Sequence, residues 1–285
     1  MSYTSKNLSR LIIEDDDLDP LANRFTNPLQ PHGEFGTGMF DDDGSRVPYG
    51  FGATSEFPAD MVVPESDYAA AIQEIEAQGA DCRSRATLAG LICKNQSQTN
   101  FCWSNAPVYS WELIRVMENM LLMYFSPASI AGPINNFRNQ GGWGGAALKR
   151  MVSHGTSPIE FDGSSLYPAN QVSKPNTFDK AMQIAANFCV KEWWVINTFQ
   201  QAISCLLRGW PVAVGYDWWG HEVTLTRALW IDGALALEFR NSWGMEYGED
   251  GYGILRGRKM YGSDYVTPRV SGPSPITEPV GSIAI

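Results

Sequence analysis

Histidine is scarce in this chain: 285 residues contain three, His32, His154 and His221. Any chemistry that needs an imidazole to move a proton has few sources to draw on. Charge is scarce as well, at 18%, and 21 bases face 31 acids for a net charge of −10. Polyanionic nucleic acid is held by basic patches that this composition does not supply, so no nucleic-acid partner is expected. No apolar run approaches the roughly eighteen residues of a membrane span, and the opening MSYTSKNLSR lacks the apolar core of a secretory signal. Neither membrane association nor export is expected, which points to the cytoplasm or to a particle assembled inside a cell. The five cysteines (Cys82, Cys93, Cys102, Cys189, Cys205) are odd in number and contain no CxxC pair. A dense disulfide framework or a thiolate zinc site is therefore not expected, and at least one thiol is free of intramolecular pairing. Asp41–Asp43 and Gly44 lack the alternate-residue ligand spacing of a calcium loop, so no metal is assigned, and no cofactor is expected. What is present is 44% apolar residues, enough for one medium domain or two intimate lobes.

The charge is concentrated at one end. Residues 1–60 carry eleven acids against four bases, together with Pro, Gly and Asn-Pro and no sustained period of 2 or 3.6. This composition predicts an acidic, irregular extension over 1–57. Beyond it, AAAIQEIEAQ (69–78) reads as a short helix closed by Gly79, and Leu113, Val116, Met117, Met120, Leu121 and Tyr124 repeat at helical spacing ahead of Pro127. AALKRMVSHG after Gly145 and TFQQAISCLLRG (198–209) are two further helices. After Trp210 the texture changes to PVAVGY, EVTLTRALWI, ALALEF and YGILRG, short β-rich runs between Gly and Asp-Gly turns. The expected class is α+β: a helical lobe over about 58–195, a β lobe over about 196–265, and a Pro/Gly-bearing tail over 266–285.

Cys102 lies in QSQTNFCWSNAP just ahead of the strongest helix, where backbone N–H groups and the helix dipole favour a thiolate. Taken alone it reads rather as a small buried hydrophobe. The wider pattern separates the two readings. KNQSQTNFCW (94–103) resembles the nucleophile segment of papain-like cysteine peptidases, with Gln96 six residues before a Cys-Trp pair. GGWGGAAL (141–148) is similar to that family's Gly-Gly loop and following helix, Tyr167-Pro168 fits a downstream Tyr-Pro pair, and NSWGMEYGEDGYGILRG (241–257) is similar to its Asn-Ser-Trp-Gly segment. His221 precedes a β run, as the family's histidine does. The resemblance covers roughly 62–257 and keeps the order Gln, Cys, Gly-Gly, His, Asn.

The resemblance implies a papain-like two-lobe fold, a helical N-terminal lobe and a β-barrel-like C-terminal lobe with the active site between them. It also implies a cysteine endopeptidase acting on a peptide or protein substrate. In that chemistry a Cys102 thiolate attacks the carbonyl carbon, His221 stabilises the thiolate and protonates the leaving amine, and Asn241 orients the imidazole. The Cys102 N–H and the Gln96 amide would receive the negative charge on the carbonyl oxygen. Gly141 and Gly142 would contact an extended substrate, with Gly142 pairing through its backbone and Trp143 forming a wall. Glu222, where the family has a small residue, would make a pocket favour a basic side chain. Trp243 would shield the Asn241 hydrogen bond. Thr99 and Gln140 stand where secreted relatives have cysteines, which agrees with a reducing compartment. Pro107 predicts a kinked or delayed first turn after Cys102. No helical inhibitory proregion of the family's usual kind is expected in 1–57.

A register argument constrains the site. A two-residue turn at Asp232-Gly233 would pair position 221 with 244 and leave Asn241 on the wrong face. A three-residue loop over 231–233, or a bulge of equal effect, pairs 221 with 243. His221 and Asn241 then become diagonal neighbours about 7–8 Å apart. A second reading, of another class, is a structural or docking component of a phage particle or other large assembly, with the two terminal arms ordering on a partner.

Overall fold

The computed structural model describes residues 11–15, 38–39, 55–163 and 165–271. Seven helices occur among them: α1 (Tyr68–Ala77), α2 (Cys82–Ala89), α3 (Cys102–Met117), α4 (Ala128–Ile134), α5 (Gly144–Ser153), α6 (Phe178–Ala185) and α7 (Phe199–Leu206). The strands are β1 (Ile12–Ile13), β2 (Ser55–Glu56), β3 (Glu160–Phe161), β4 (Ser165–Leu166), β5 (Val190–Val195), β6 (Val212–Tyr216), β7 (His221–Ile231), β8 (Ala234–Arg240), β9 (Tyr252–Leu255) and β10 (Asp264–Ser271). Eight of them make one sheet in the order β1-β9-β8-β7-β6-β10-β5-β2, and β3 and β4 form a small hairpin. The result is a mixed α+β architecture, a helical region against a large sheet.

Local chemistry explains most boundaries. Asp81 caps α2 by accepting from the Ser84 N–H at 2.9 Å, and Gly90, at φ +70, closes it. Thr198 caps α7 through Gln201 N–H at 3.2 Å. The long apolar period from Leu113 to Tyr124 does not make one helix. Asn119 takes the left-handed conformation at φ 55 and α3 stops at Met117, so Met120, Leu121 and Tyr124 continue the stripe from a loop. Pro107, expected to kink or delay the helix, lies inside it, and α3 starts at Cys102. The adjacent Ala106 carbonyl is bonded from outside the helix ladder by Thr224 Oγ1 at 2.9 Å.

Two cores flank α3. The helical core gathers Phe101, Trp103, Trp111, Phe125, Leu148, Met151 and Trp193, while the β-side core gathers Ile203, Val214, Val223, Leu225, Phe239 and Trp243. Trp111 is wholly buried with its ring 4.4 Å from that of Phe125, so Trp111→Ala would cost about 3–5 kcal/mol through the void it leaves. The division between lobes is less tidy in space than along the chain. Tyr68 and Ile72 of α1 pack in the β-side core, and β5 joins the sheet beside β10. Strand β10 runs to Ser271, past the expected start of the tail at 266.

Of the expected acidic extension over 1–57, residues 11–15, 38–39 and 55–57 are described, and the rest lies outside the described residues. Ile13 is fully buried, β1 pairs in parallel with β9, and β2 pairs in parallel with β5. The two edge positions of the sheet are thus taken by Ile12–Ile13 and Ser55–Glu56, which pair with backbone groups of β9 and β5 that an open edge would leave unpaired. Between those edges, Met39 bridges in parallel to Gly142.

Candidate active site

Cys102 is the first residue of α3 and is fully buried. Its Sγ accepts a hydrogen bond from the Gly38 N–H at 3.2 Å. Burial pushes the thiol up to about 12, and the negative charge of Glu222 adds to the rise. Backbone hydrogen bonds from Glu222, Gly38 and Trp103 pull in the opposite direction without reversing it. The start of a helix was expected to favour a thiolate, but with the sulfur sealed from water desolvation outweighs the dipole.

Across from α3, His221 opens β7, and its Nε2 lies 2.8 Å from Asn241 Oδ1. An amide oxygen accepts, so the proton sits on Nε2, and Nδ1 is buried with no hydrogen-bond partner among the described residues. Burial draws the imidazole down to about 4, with the Asn241 bond opposing. The ring is enclosed by indoles. Trp243 stacks on it with centroids 4.6 Å apart at 28°, and Trp219 meets it at 4.9 Å. Trp243, expected to shelter the asparagine, therefore lies on the imidazole face. Trp219 was not singled out from the sequence, although the Trp-Trp-Gly run ahead of His221 was there to be read.

The register that joins His221 to Asn241 is reached by the second of the two routes considered. The turn is a two-residue one: Ile231 pairs with Ala234, and Asp232 and Gly233 have φ of 53 and 78. The three-residue loop is absent. Instead the pairing slips between Leu225 and Arg227, so Thr226 is a bulge and Leu225 faces Phe239. Continued at that offset, His221 stands opposite Trp243 and diagonal to Asn241.

Gln96 is fully buried and ties the loop ahead of α3 to the asparagine segment. Its backbone N–H donates to Ser242 O at 2.8 Å, its Oε1 accepts from Ser242 Oγ, and its Nε2 donates to Thr99 O at 2.7 Å. Gly142, expected to pair with an extended substrate, donates its N–H to Gly38 O of this same chain at 2.8 Å. A Cβ at Gly142 would fall 2.5 Å from the Trp103 ring, so the indole floors this position. Gly141 is held through its carbonyl by Asn135 Nδ2 at 3.3 Å, and Trp143 is the N-cap of α5. Glu222 departs from the expected pocket for a basic side chain. It is buried, and its Oε2 accepts from the Gly144 N–H at 3.0 Å at the start of α5.

Gly38 and Met39 were not identified as site residues from the sequence. Gly38 packs so tightly that a β-carbon there would lie 2.0 Å from Asn100 O, and Met39 donates from its N–H to Gly220 O at 3.2 Å. Behind Asn241 lies a buried ion pair, Lys94 with Glu112, whose Oε1 also accepts from the Phe125 N–H at 2.7 Å. Among the described residues no group of three or more His, Cys, Asp or Glu is placed to hold a metal ion, and no helix is long and apolar enough to cross a membrane.

Solved structures place the fold. The chain is similar to xylellain, a cysteine protease from Xylella fastidiosa, at 15% identity and a TM-score of 0.56 over 81% of this chain and 94% of that one. It is similar to the proform of the ragweed pollen allergen Amb a 11, a cysteine protease, at 20% identity and 0.53 over 64% and 63%. It is also similar to digestive procathepsin L 3 of Tenebrio molitor larval midgut, at 17% and 0.52 over 63% and 66%. The fold is papain-like. The match spans less than two thirds of the length of the ragweed and procathepsin chains. No sequence-family model matches the chain, and no curated protein matches it by sequence. At these identities the papain-like comparison speaks for the fold, and the chemistry rests on the side chains described above.

Proposed function

We propose that the chain is a cysteine peptidase in which Cys102 is the nucleophile, His221 the acid and base, and Asn241 the group that orients the imidazole. The observation that carries this reading is the 2.8 Å bond from His221 Nε2 to Asn241 Oδ1, which leaves a buried Nδ1 with no partner of its own. That bond fixes the tautomer whose free nitrogen can accept a thiol proton. The Sγ then attacks a substrate carbonyl carbon. The His221 proton passes to the leaving amine, and water releases the acyl group from sulfur. The Cys102 N–H and the Gln96 side-chain amide, which also donates to Thr99 O, are the donors proposed for the carbonyl oxygen.

In the form described, the arm stands where a substrate would. Gly38 brings an N–H rather than a carbonyl carbon to the sulfur, and the thiol and imidazole are both neutral because water is shut out. Departure of 38–39 rehydrates both groups and restores the conditions for an ion pair.

Alkylation of Cys102 by an epoxysuccinyl probe tests the reading, with half-buried Cys189 as an internal reference. Gly38→Ala, which has no room against Asn100, is expected to speed labelling of Cys102, and His221→Ala in that background to slow it by about 10²–10⁴-fold. Labelling of Cys102 no faster than Cys189 in both wild type and Gly38→Ala would defeat the proposal.

A further inference from the structure

The imidazole of His221 is braced from a direction that the Cys102, His221 and Asn241 set does not supply. Tyr216 ends β6 opposite His221, and residues 217–220 make the turn between them. The N–H groups of Trp219 and Gly220 both donate to Tyr216 O, at 3.0 and 2.8 Å, and Gly220 has a φ of +62, which favours glycine. The turn therefore folds back just ahead of His221 and buries the Trp219 indole. That ring meets the imidazole at 4.9 Å and 62°, Trp243 at 5.6 Å and 89°, and Phe239 at 5.5 Å and 83°. It is also stacked on Trp218 at 5.3 Å and 11°.

The other restraints on the imidazole leave one motion open. Asn241 holds Nε2, and Trp243 covers a face. A ring pinned at one nitrogen and stacked on one face resists tipping, yet it can still swing sideways under the stack and carry Nδ1 with it. The centroids of His221, Trp243 and Trp219 form a triangle with sides of 4.6, 4.9 and 5.6 Å, so Trp219 stands beside the imidazole and not over the face opposite Trp243. It is also perpendicular to Trp243, the usual edge-to-face arrangement of two aromatic rings, and so braces the stacked indole as well. We propose that Trp219 is a positioning residue for the reaction: a lateral stop that keeps His221 Nδ1 directed to the thiol while the proton moves. The inference rests on the peptidase reading of the site. Trp219 Nε1 is buried with no hydrogen-bond partner among the described residues. An unpaired buried donor is a cost that a plain packing position avoids with an apolar side chain, so what this position uses is the flat ring.

The test reads the ring and the reaction separately. In the ¹⁵N-labelled full chain, NMR follows the His221 Nε2 proton, which Asn241 accepts. Trp219→Leu is expected to speed its exchange with water by about tenfold or more, and Trp219→Phe, which keeps a flat ring, to leave it within about threefold. Trp219→Met, a flexible filler without a ring, carries the same expectation as leucine and serves if the leucine chain does not fold. Unchanged exchange in the ringless variants overturns the proposal whatever the chain's activity. In the Gly38→Ala chain, epoxysuccinyl labelling of Cys102 should slow about tenfold with Trp219→Leu and less than about threefold with Trp219→Phe. With His221→Ala also present, Trp219→Leu should change the rate by less than about twofold, since no imidazole is left to hold. Equal slowing with and without His221 overturns the proposal, because Trp219 would then act through packing alone. His221→Ala by itself judges the peptidase reading: an unchanged labelling rate there counts against that reading, while exchange of the Nε2 proton still decides whether Trp219 restrains the ring.

Discussion

The helical and strand sides of the candidate site hold Cys102 and His221 by different means. On the helical side Cys102 begins α3, and its place follows from where one helix starts and from a buried polar anchor, the Lys94–Glu112 pair, one side of which belongs to that helix. On the strand side nothing local fixes His221 against Asn241. The two are twenty residues apart in sequence and meet because a tight turn and the bulge at Thr226 together set the offset of β7 on β8. A helix start tolerates small errors elsewhere, whereas a strand pairing displaced by one residue turns every side chain to the other face.

That difference is most sharply broken by inserting one alanine between Phe239 and Arg240. With Leu225 still opposite Phe239, Asn241 would come to face Glu222, away from His221. His221-dependent reactivity of Cys102 is expected to fall by about 10²-fold or more while α3 and the thiol stay in place. Retention of that dependence in epoxysuccinyl labelling would show that the imidazole does not need the pairing.

The same contrast explains what could be read from the chain beforehand. Cys102 at a helix start is a matter of short-range order that the chain displays directly, whereas Gln96 and Gly142 are marked by the resemblance to papain-like peptidases, and the contact Gly142 makes, to Gly38, is distant in sequence. The register had two solutions in the sequence because Asp-Gly serves both a two-residue turn and a longer loop. Thr226 carries no local mark of a bulge, since its extra place is decided by partners on β8. Asn119 ended α3 early although the apolar period ran on, because a left-handed residue overrides periodicity. Gly38 and Met39 were illegible for another reason. Their roles come from contacts to Asn100, Gly142 and Gly215, each of them distant in sequence, and an acidic, irregular segment shows no periodicity that would announce them.

On the helical side, the next largest effect is expected from Lys94→Met. It leaves the wholly buried Glu112 without its cation, at a cost of about 3–5 kcal/mol in urea unfolding. Adding Glu112→Gln removes the charge and keeps an acceptor for the Phe125 N–H, so most of that loss should return. Equal stability of the single and double variants would show that the pair does not anchor the helix.

A smaller effect should appear in the pH dependence of the strand side. The His221 pKa is about 4 in the folded chain against 6.5 for a free imidazole. Between those values the unfolded chain carries a proton that the folded one lacks, so stability rises with pH across this window and is lost as pH falls through it. The full difference amounts to at most roughly 3 kcal/mol. Carboxylates titrate in the same range, so the comparison is with His221→Phe, which keeps a ring between Trp219 and Trp243. The variant should show a shallower rise from pH 4 to 6.5, and parallel curves would mean that the imidazole is not shielded.

The smallest effect is expected from deleting Thr226. Leu225 already faces Phe239 and Arg227 already faces Glu238, so removing the residue between them makes these pairs consecutive and leaves both faces of β7 as they were. What is lost is the hydrogen bond from Thr226 Oγ1 to Glu238 Oε1 at 3.0 Å, worth about 1 kcal/mol. The Arg227–Glu238 contact at 2.9 Å can persist across the shortened strand. Cys102 labelling in the deletion chain should therefore keep its dependence on His221, in contrast to the insertion on β8. If the deletion abolished that dependence, the bulge would be setting the twist of the strand as well as its count, and residue offset alone would not account for how His221 meets Asn241.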